Sequence, residues 1–261
     1  MVGGSPENRA WNQEVAGPGR EKAEVGEASA PSEEEKAAVG EQAAGAVREG
    51  MRVGLGTGST VAHFLRALGR RVKAGELKGM VGVPTSLSTE RVARDLGIPL
   101  GTLEGVGTLD LTVDGADEVD PNLDLIKGLG GALLREKMVA QATRHVLIIV
   151  DERKIVVRLG SRSPLPVEVV PFGWESHLPI LEELGGRGVL RMGGDGEPYR
   201  TDNGNLILDV HFLGGISAPE DVEAALQARA GIVESGLFLG MAREVLVGGP
   251  KGVRTLTRRG G

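Results

Sequence analysis

The feature that most constrains this chain is a repeated local order. A short apolar run ends in a glycine- or hydroxyl-rich turn, and an amphipathic helix follows. Met51–Gly56 runs into Thr57-Gly58-Ser59-Thr60 and a helix carrying Val61, Phe64, Leu65 and Leu68. Met80–Val83 passes through Pro84-Thr85-Ser86 to a helix around Thr89–Leu96. Leu109–Val113 ends in Asp114-Gly115-Ala116-Asp117. Leu125-Ile126 precedes Lys127-Gly128-Leu129-Gly130-Gly131 and a helix from Ala132 to about Thr143, and Val146–Val150 is a further apolar strand. Runs apolar on both faces, alternating with helices, predict an α/β fold built on a parallel sheet.

The texture changes after about Gly160. Val167–Val170 and Asn205–Phe212 read as strands of a half-exposed sheet, and Trp174–Leu184 and Ala218–Arg229 as amphipathic helices. The order predicts a small α+β unit of the split βαβ, ferredoxin-like kind. Leu237–Val247 is apolar again and suits a return to the first domain. The expected organisation is therefore a Rossmann-like parallel-sheet domain over 31–160 and 237–257, with a smaller α+β domain over 161–236. A length of 261 residues accommodates two such domains.

The N-terminal stretch differs from the rest. Residues 1–35 hold eight Glu, two Arg and one Lys, and no Leu, Ile or Phe. Residues 1–30 are expected to be a disordered acidic tail. They lack the apolar core of a signal peptide and are too acidic for a transit peptide. Pro31-Ser32-Glu33-Glu34-Glu35 predicts a helix start with a Ser32/Glu35 capping box, running to about Glu49 and stopping at Gly50.

Composition excludes several classes. With no cysteine there is no disulfide, thiolate metal site or cysteine nucleophile, which is compatible with a reducing compartment, and the expected location is cytoplasmic. Seven aromatics and a net charge of −6 argue against a nucleic-acid partner. No run approaches the ~20 apolar residues of a membrane span, so no membrane partner is expected. His63, His145, His177 and His211 are scattered without zinc-ligand spacing, and no metal is predicted. His63 reads as a core-edge residue and Trp174 as packing of the second domain.

Three turns carry chemistry. In Gly54-Leu55-Gly56-Thr57-Gly58-Ser59-Thr60, the glycines admit close approach of an anion, and the helix start and hydroxyls supply donors. No Gly-Lys-Ser/Thr follows, so it is not a Walker loop, and the dinucleotide glycine spacing is missing. Taken alone, it is also compatible with a tight strand–helix turn. The carboxylates of Asp114 and Asp117 stand at a strand end, which in a parallel sheet faces the ligand crevice. They suit sugar hydroxyls, proton shuttling, a magnesium ion, or a plain Asx-turn. Lys127 with its glycine loop is a second anion site. Glu136 follows Leu133 by three residues and precedes Ala140 by four, which places it on the apolar stripe of its helix. A carboxylate held there has a raised pKa and suits a general base, whereas flanking Arg135 and Lys137 also allow a solvated face.

Together, Gly-Thr-Gly-Ser-Thr at 56–60, Asp-Gly-Ala-Asp at 114–117, Lys-Gly-Leu-Gly-Gly at 127–131 and Leu-Leu-Arg-Glu-Lys at 133–137 resemble ribose-5-phosphate isomerases of the A type. Leu165–Pro171 and Thr201-Asp202-Asn203-Gly204-Asn205 also look like that family, and the likeness spans about 32 to 257. It implies interconversion of D-ribose 5-phosphate and D-ribulose 5-phosphate through an enediolate, a step of the non-oxidative pentose phosphate pathway. It implies Glu136 as base, with Asp114, Asp117 and Lys127 catalytic. Substrate binding would fall to Thr57, Gly58, Ser59, Thr60, Asp114, Gly115, Ala116, Asp117, Lys127, Gly128, Leu129, Gly130, Lys154 and Lys36. It implies a sugar phosphate as the small-molecule partner, no cofactor, and a homodimer or homotetramer. A non-catalytic sugar-phosphate sensor would lack the Glu136 carboxylate, and a CoA-transferase-like enzyme would use it as a nucleophile.

Overall fold

The computed structural model describes residues 33–258. The acidic stretch 1–30 and Ser32 of the capping box lie outside the described residues.

Helix α1 (Glu33–Gly45) buries Val39, Ala43 and Ala44. It ends four residues before Glu49, the predicted last residue. Beyond Ala43 the chain tightens into turns closed by Ala46 N–H to Ala43 O and Val47 N–H to Ala44 O. The Arg71 guanidinium then donates to the carbonyls of Ala44 and Val47, which ends the helix there.

Strand β1 (Arg52–Leu55), helix α2 (Ser59–Lys73), strand β2 (Val81–Pro84), helix α3 (Leu87–Asp95), the single turn α4 (Leu103–Val106) and strand β3 (Leu111–Asp114) follow. Ser86 caps α3, its hydroxyl accepting from Thr89 N–H at 3.0 Å. Two-residue strands β4 (Glu118–Val119) and β5 (Leu125–Ile126) lead to α5 (Leu133–Gln141) and β6 (Val146–Asp151). All residues of β3 and β6 are buried, as strands covered on both faces require.

Strand β7 (Leu165–Val169), α6 (Leu178–Glu183), β8 (Gly186–Leu190), β9 (Leu206–Phe212), α7 (Pro219–Gln227) and β10 (Ile232–Ser235) form a four-stranded antiparallel sheet in the order β10-β7-β9-β8. This is the split βαβ arrangement the element order suggested. Strands β8 and β10 had no clear sequence signal. Val167, Leu181, Leu208, Val210, Val222 and Leu226 fill its core, and Trp174 packs against it. Glu168, fully buried on β7, accepts hydrogen bonds from Thr201 Oγ1 at 2.9 Å and Asn205 Nδ2 at 2.8 Å. One carboxylate thus shapes the loop 201–205.

Strand β11 (Leu237–Phe238) pairs with β5, which pairs with β4 in a small three-stranded sheet. Strands β12 (Glu244–Gly249) and β13 (Gly252–Thr257) complete the main sheet, in the order β13-β12-β6-β3-β1-β2. The five strands from β12 to β2 are parallel, and β13 closes one edge as an antiparallel hairpin. Neighbouring β1 and β3 continue to β2 on one side and towards β6 on the other. Loops after strands that diverge in this way open a crevice at their C-terminal ends.

Candidate active site

The loops after β1, β3 and β6 meet at that crevice, around a cavity of about 220 Å³. Its wall includes Lys36, Thr57–Thr60, Gly115–Asp117, Lys127, Gly128, Gly130, Glu136, Arg153 and Lys154.

The first loop is held from beneath. Thr57 N–H donates to Asp114 Oδ1 at 3.0 Å, and Gly115 N–H donates to the same oxygen at 2.7 Å. A Cβ on Gly56 would overlap the Asp114 carboxylate, so only glycine fits there. Gly58 has φ 123°, in glycine's range, and turns the chain into α2 without a side-chain cap. The first N–H groups of α2 thus lack a capping side chain. The Thr57 hydroxyl lies 2.9 Å from Thr85 Oγ1, 2.9 Å from Ser86 Oγ and 3.1 Å from Thr89 Oγ1. Sequence reasoning passed over these supporting hydroxyls, although Thr85, Ser86 and Thr89 cluster just after β2.

Lys127 is 3 % exposed, and its ammonium lies 3.1 Å from Asp114 Oδ2 and 3.4 Å from Glu136 Oε1. It also donates to the Gly115 carbonyl and lies 5.5 Å from the centre of the Phe238 ring. Burial by itself would lower its pKa, but the charges of Asp114, Glu136 and Asp117 raise it, so it stays an ammonium. Glu136 is 4 % exposed on α5, on the stripe shared with buried Leu133 and Ala140. Burial pushes its carboxyl up to about 8 against the pull of Lys127, and the nearby Asp114 and Asp117 carboxylates push the same way. One ammonium thus faces the carboxyls of both Asp114 and Glu136. Its Oε2 has no hydrogen-bond partner among the described residues.

The neighbours of Glu136 anchor α5 on both sides. Arg135 donates to Asn203 Oδ1 at 3.0 Å and the Asp202 carbonyl at 3.2 Å. Lys137, 1 % exposed, donates to Glu223 Oε1 at 3.0 Å and Glu234 Oε1 at 2.6 Å. The sequence left open a solvated face for these residues; burial of Glu136 and Lys137 removes that reading.

Most sequence-predicted site residues come together here, but Asp114 and Leu129 do not line the cavity. Asp114 is 2 % exposed and lies behind Lys127, with both oxygens engaged. A cation already sits at its Oδ2, which leaves little donor capacity for a magnesium ion. Leu129 contributes its backbone, the N–H donating to Asp117 Oδ2 at 3.0 Å. Asp117 borders the cavity itself. Glu118 and Asp120 serve local structure. Glu118 accepts from the N–H groups of Gly160, Arg162 and Ser163, and Asp120 from those of Asn122 and Asp124. Lys36 reaches the rim from α1, 2.9 Å from Glu33 Oε1. Arg153 was missed as a lining residue, although it directly precedes Lys154 after β6. Its N–H and Nε both bond Asp151 Oδ1, at 3.1 and 3.0 Å. His63, on α2, pairs with Glu33, and His177, just before α6, accepts from Arg229 Nε, just after α7. Among the described residues no group of three or more His, Asp or Glu is placed to hold a metal ion, and no helix is long and apolar enough to cross a membrane.

Fold and site together define an α/β enzyme whose crevice holds the buried Lys127 ammonium between the buried carboxylates of Asp114 and Glu136. Residues 81–252 match the family model for ribose 5-phosphate isomerase A (phosphoriboisomerase A). The chain is 55 % identical over 208 residues to ribose-5-phosphate isomerase A of Chloroflexus aurantiacus, covering 80 % of this chain and 87 % of that protein. A solved D-ribose-5-phosphate isomerase in complex with phospho-erythronic acid superposes with a TM-score of 0.85 at 41 % identity, covering 88 % of this chain and all of that one. Ribose 5-phosphate isomerase A of Methanocaldococcus jannaschii gives 0.82 at 41 % identity, covering 86 % of this chain and 99 % of that one. The chain belongs to the ribose 5-phosphate isomerase A family.

Proposed function

We propose the following division of labour for an isomerase that interconverts D-ribose 5-phosphate and D-ribulose 5-phosphate. The Thr57–Thr60 loop, the N-terminal N–H groups of α2, Lys36, Lys154 and Arg153 hold the phosphate dianion. Backbone N–H groups, hydroxyls and cations converge on that end of the cavity, as phosphate binding requires. Asp117, with Gly115, Ala116 and Gly128, borders the sugar and accepts from its hydroxyls, which assists opening of the ring.

Glu136 removes the proton from C2 of the open-chain aldose through Oε2. The C2–H electron pair forms the C1–C2 double bond, and charge develops on O1. Lys127 Nζ and the N–H groups of its loop stabilise that oxyanion. The cis-enediolate then takes the proton at C1 from Glu136, while a proton passes from O2 to O1, and the ketose is formed. Asp114 keeps Lys127 charged and in place, and through Thr57 it ties the phosphate loop to the same point.

The observation that carries this reading is the buried Glu136 carboxyl, raised to about 8, with a free oxygen beside a buried ammonium. An operating pH close to the base's own pKa favours proton abstraction and return by one group. A coupled assay with ribose 5-phosphate, run with and without EDTA, tests it. Turnover unaffected by EDTA supports the metal-free route; no turnover overturns the reading. Phospho-erythronic acid, whose planar carboxylate resembles an enediolate, should compete with substrate. A cytoplasmic homodimer or homotetramer belongs to the same proposal. It is supported by the family resemblance and by the exposed apolar side chains of Val157, Phe172 and Leu213. Sedimentation equilibrium counts the copies.

A further inference from the structure

The Lys127–Gly131 loop is gripped from the second sheet by one side chain. Arg191 follows β8 and is 12 % exposed. Its Nε donates to Asp209 Oδ2 at 2.8 Å and its Nη2 to Asp209 Oδ1 at 2.5 Å, a two-pronged pair with a β9 carboxylate. Its remaining terminal nitrogen, Nη1, donates to the carbonyls of Gly128 at 3.1 Å and Leu129 at 2.9 Å. The guanidinium lies 5.8 Å from the centre of the Tyr199 ring. That ring covers Gly131, where a Cβ would overlap it.

We infer that Arg191 is a positioning residue for the isomerisation, acting through the peptide planes of the substrate loop. This rests on the residue roles given under Proposed function. In a trans peptide the C=O and the following N–H point in opposite directions. Drawing the Gly128 carbonyl to Arg191 turns the Leu129 N–H the other way, onto Asp117 Oδ2 at 3.0 Å. Drawing the Leu129 carbonyl to the same nitrogen turns the Gly130 N–H away from Arg191, at a residue that lines the cavity. Asp209 fixes the plane of the guanidinium, so the fork reaches both carbonyls from one rigid direction. Lysine cannot reproduce this, because a single ammonium has no fixed plane with which to hold Asp209 and two carbonyls. The second sheet thereby sets the orientation of Asp117 and of the N–H groups beside Lys127, while the hydrogen bonds of Arg191 go to Asp209, Gly128 and Leu129 and not to the Thr57–Thr60 loop that grips the phosphate.

The test uses the full-length protein and two variants, Arg191→Lys and the double variant Arg191→Met/Asp209→Asn, which leaves no unpaired carboxylate. A reacting group displaced by ~1 Å costs on the order of 10²-fold in rate. Both variants should therefore lose roughly 10- to 100-fold in kcat while KM on ribose 5-phosphate moves less than about 3-fold, since ground-state binding through the phosphate is retained. Loss of packing alone would lower the melting temperature without separating kcat from KM. A folded Arg191→Lys enzyme with native kcat overturns the inference, as does a KM effect with kcat unchanged. If the double variant fails to fold, Arg191→Lys, which keeps the charge beside Asp209, decides alone. Wild-type enzyme without isomerase activity would instead unseat the functional reading.

Discussion

Lys127 Nζ stands 3.4 Å from Glu136 Oε1, a buried ammonium beside a buried carboxyl. Lys127 leaves the end of β5, while Glu136 sits in the first turn of α5. The same ammonium lies 3.1 Å from Asp114 Oδ2, so Glu136 shares its counter-charge with a second acid. Burial, with the nearby Asp114 and Asp117 carboxylates, raises the Glu136 carboxyl to about 8 against the pull of Lys127.

Replacing Lys127 by Met should affect both rate and pH response. Loss of one oxyanion donor costs ~10²–10³-fold in kcat. Without the ammonium, the Glu136 carboxyl should bind its proton more tightly still, so any residual activity should need a higher pH. Breaking a buried ion pair from one side costs about 3–5 kcal/mol, and calorimetry should show a correspondingly lower Tm. A Lys127→Met enzyme with native kcat and Tm would remove Lys127 from the account.

The pH profile has a definite sign. Glu136 works as a base only when ionised, so kcat/KM should rise with pH through about 8 and then level off. Its folded-state pKa is raised above the unfolded value. Its contribution to stability is therefore fully present below the unfolded value of about 4.5 and is lost as pH rises through about 8. Glu136→Gln, which stays neutral, should match the wild-type Tm at about pH 4 and exceed it above pH 8. Thermal melts at those two pH values check this; an advantage at low pH alone would contradict it.

Lys154→Ala should act mainly on KM, because the phosphate lies away from the reacting C1–C2 bond. A charge-assisted contact contributes ~1.5–3 kcal/mol, which converts to a loss of roughly 10- to 150-fold in kcat/KM. Added salt should bring the wild type closer to the variant. Arg153→Ala, at a second cation lining the same cavity, should behave alike. Steady-state kinetics at two ionic strengths give the answer, and unchanged kcat/KM would make Lys154 an ordinary surface lysine.

Gly56→Ala tests the coupling between the two substrate loops. The added methyl would meet the Asp114 carboxylate, which also holds Lys127. Overpacking of this kind typically costs about 1–3 kcal/mol. Both Tm and kcat should fall, and a crystal structure should show Asp114 displaced. A variant that melts and turns over like the wild type would show that Asp114 has more room than this packing allows.

The parallel sheet was legible because its strands are short, apolar on both faces and each ends at glycine or hydroxyl residues. The stripe position of Glu136 could be read from its spacing to Leu133 and Ala140, because helical period is a local property. What could not be read depends on contacts between distant residues. The supporting role of Asp114 beneath Thr57 and behind Lys127 follows from the adjacency of β1 and β3, and no spacing in the chain reveals it. Arg191 meets the carbonyls of Gly128 and Leu129 across more than sixty positions. It follows the sequence Gly-Arg-Gly-Val-Leu, a strand whose glycines and mixed burial leave little alternation to detect. The early end of α1 came from Arg71, a residue of the next helix, capping its last carbonyls.

The central claim is that Glu136 moves the proton between C2 and C1. The most direct measurement is single-turnover and steady-state kinetics of Glu136→Gln on ribose 5-phosphate, paired with calorimetric binding of phospho-erythronic acid. General-base catalysis contributes ~10²–10⁴-fold, so kcat should fall by that factor while the variant folds and still binds the analogue. A folded Glu136→Gln enzyme with near-native kcat would contradict the account.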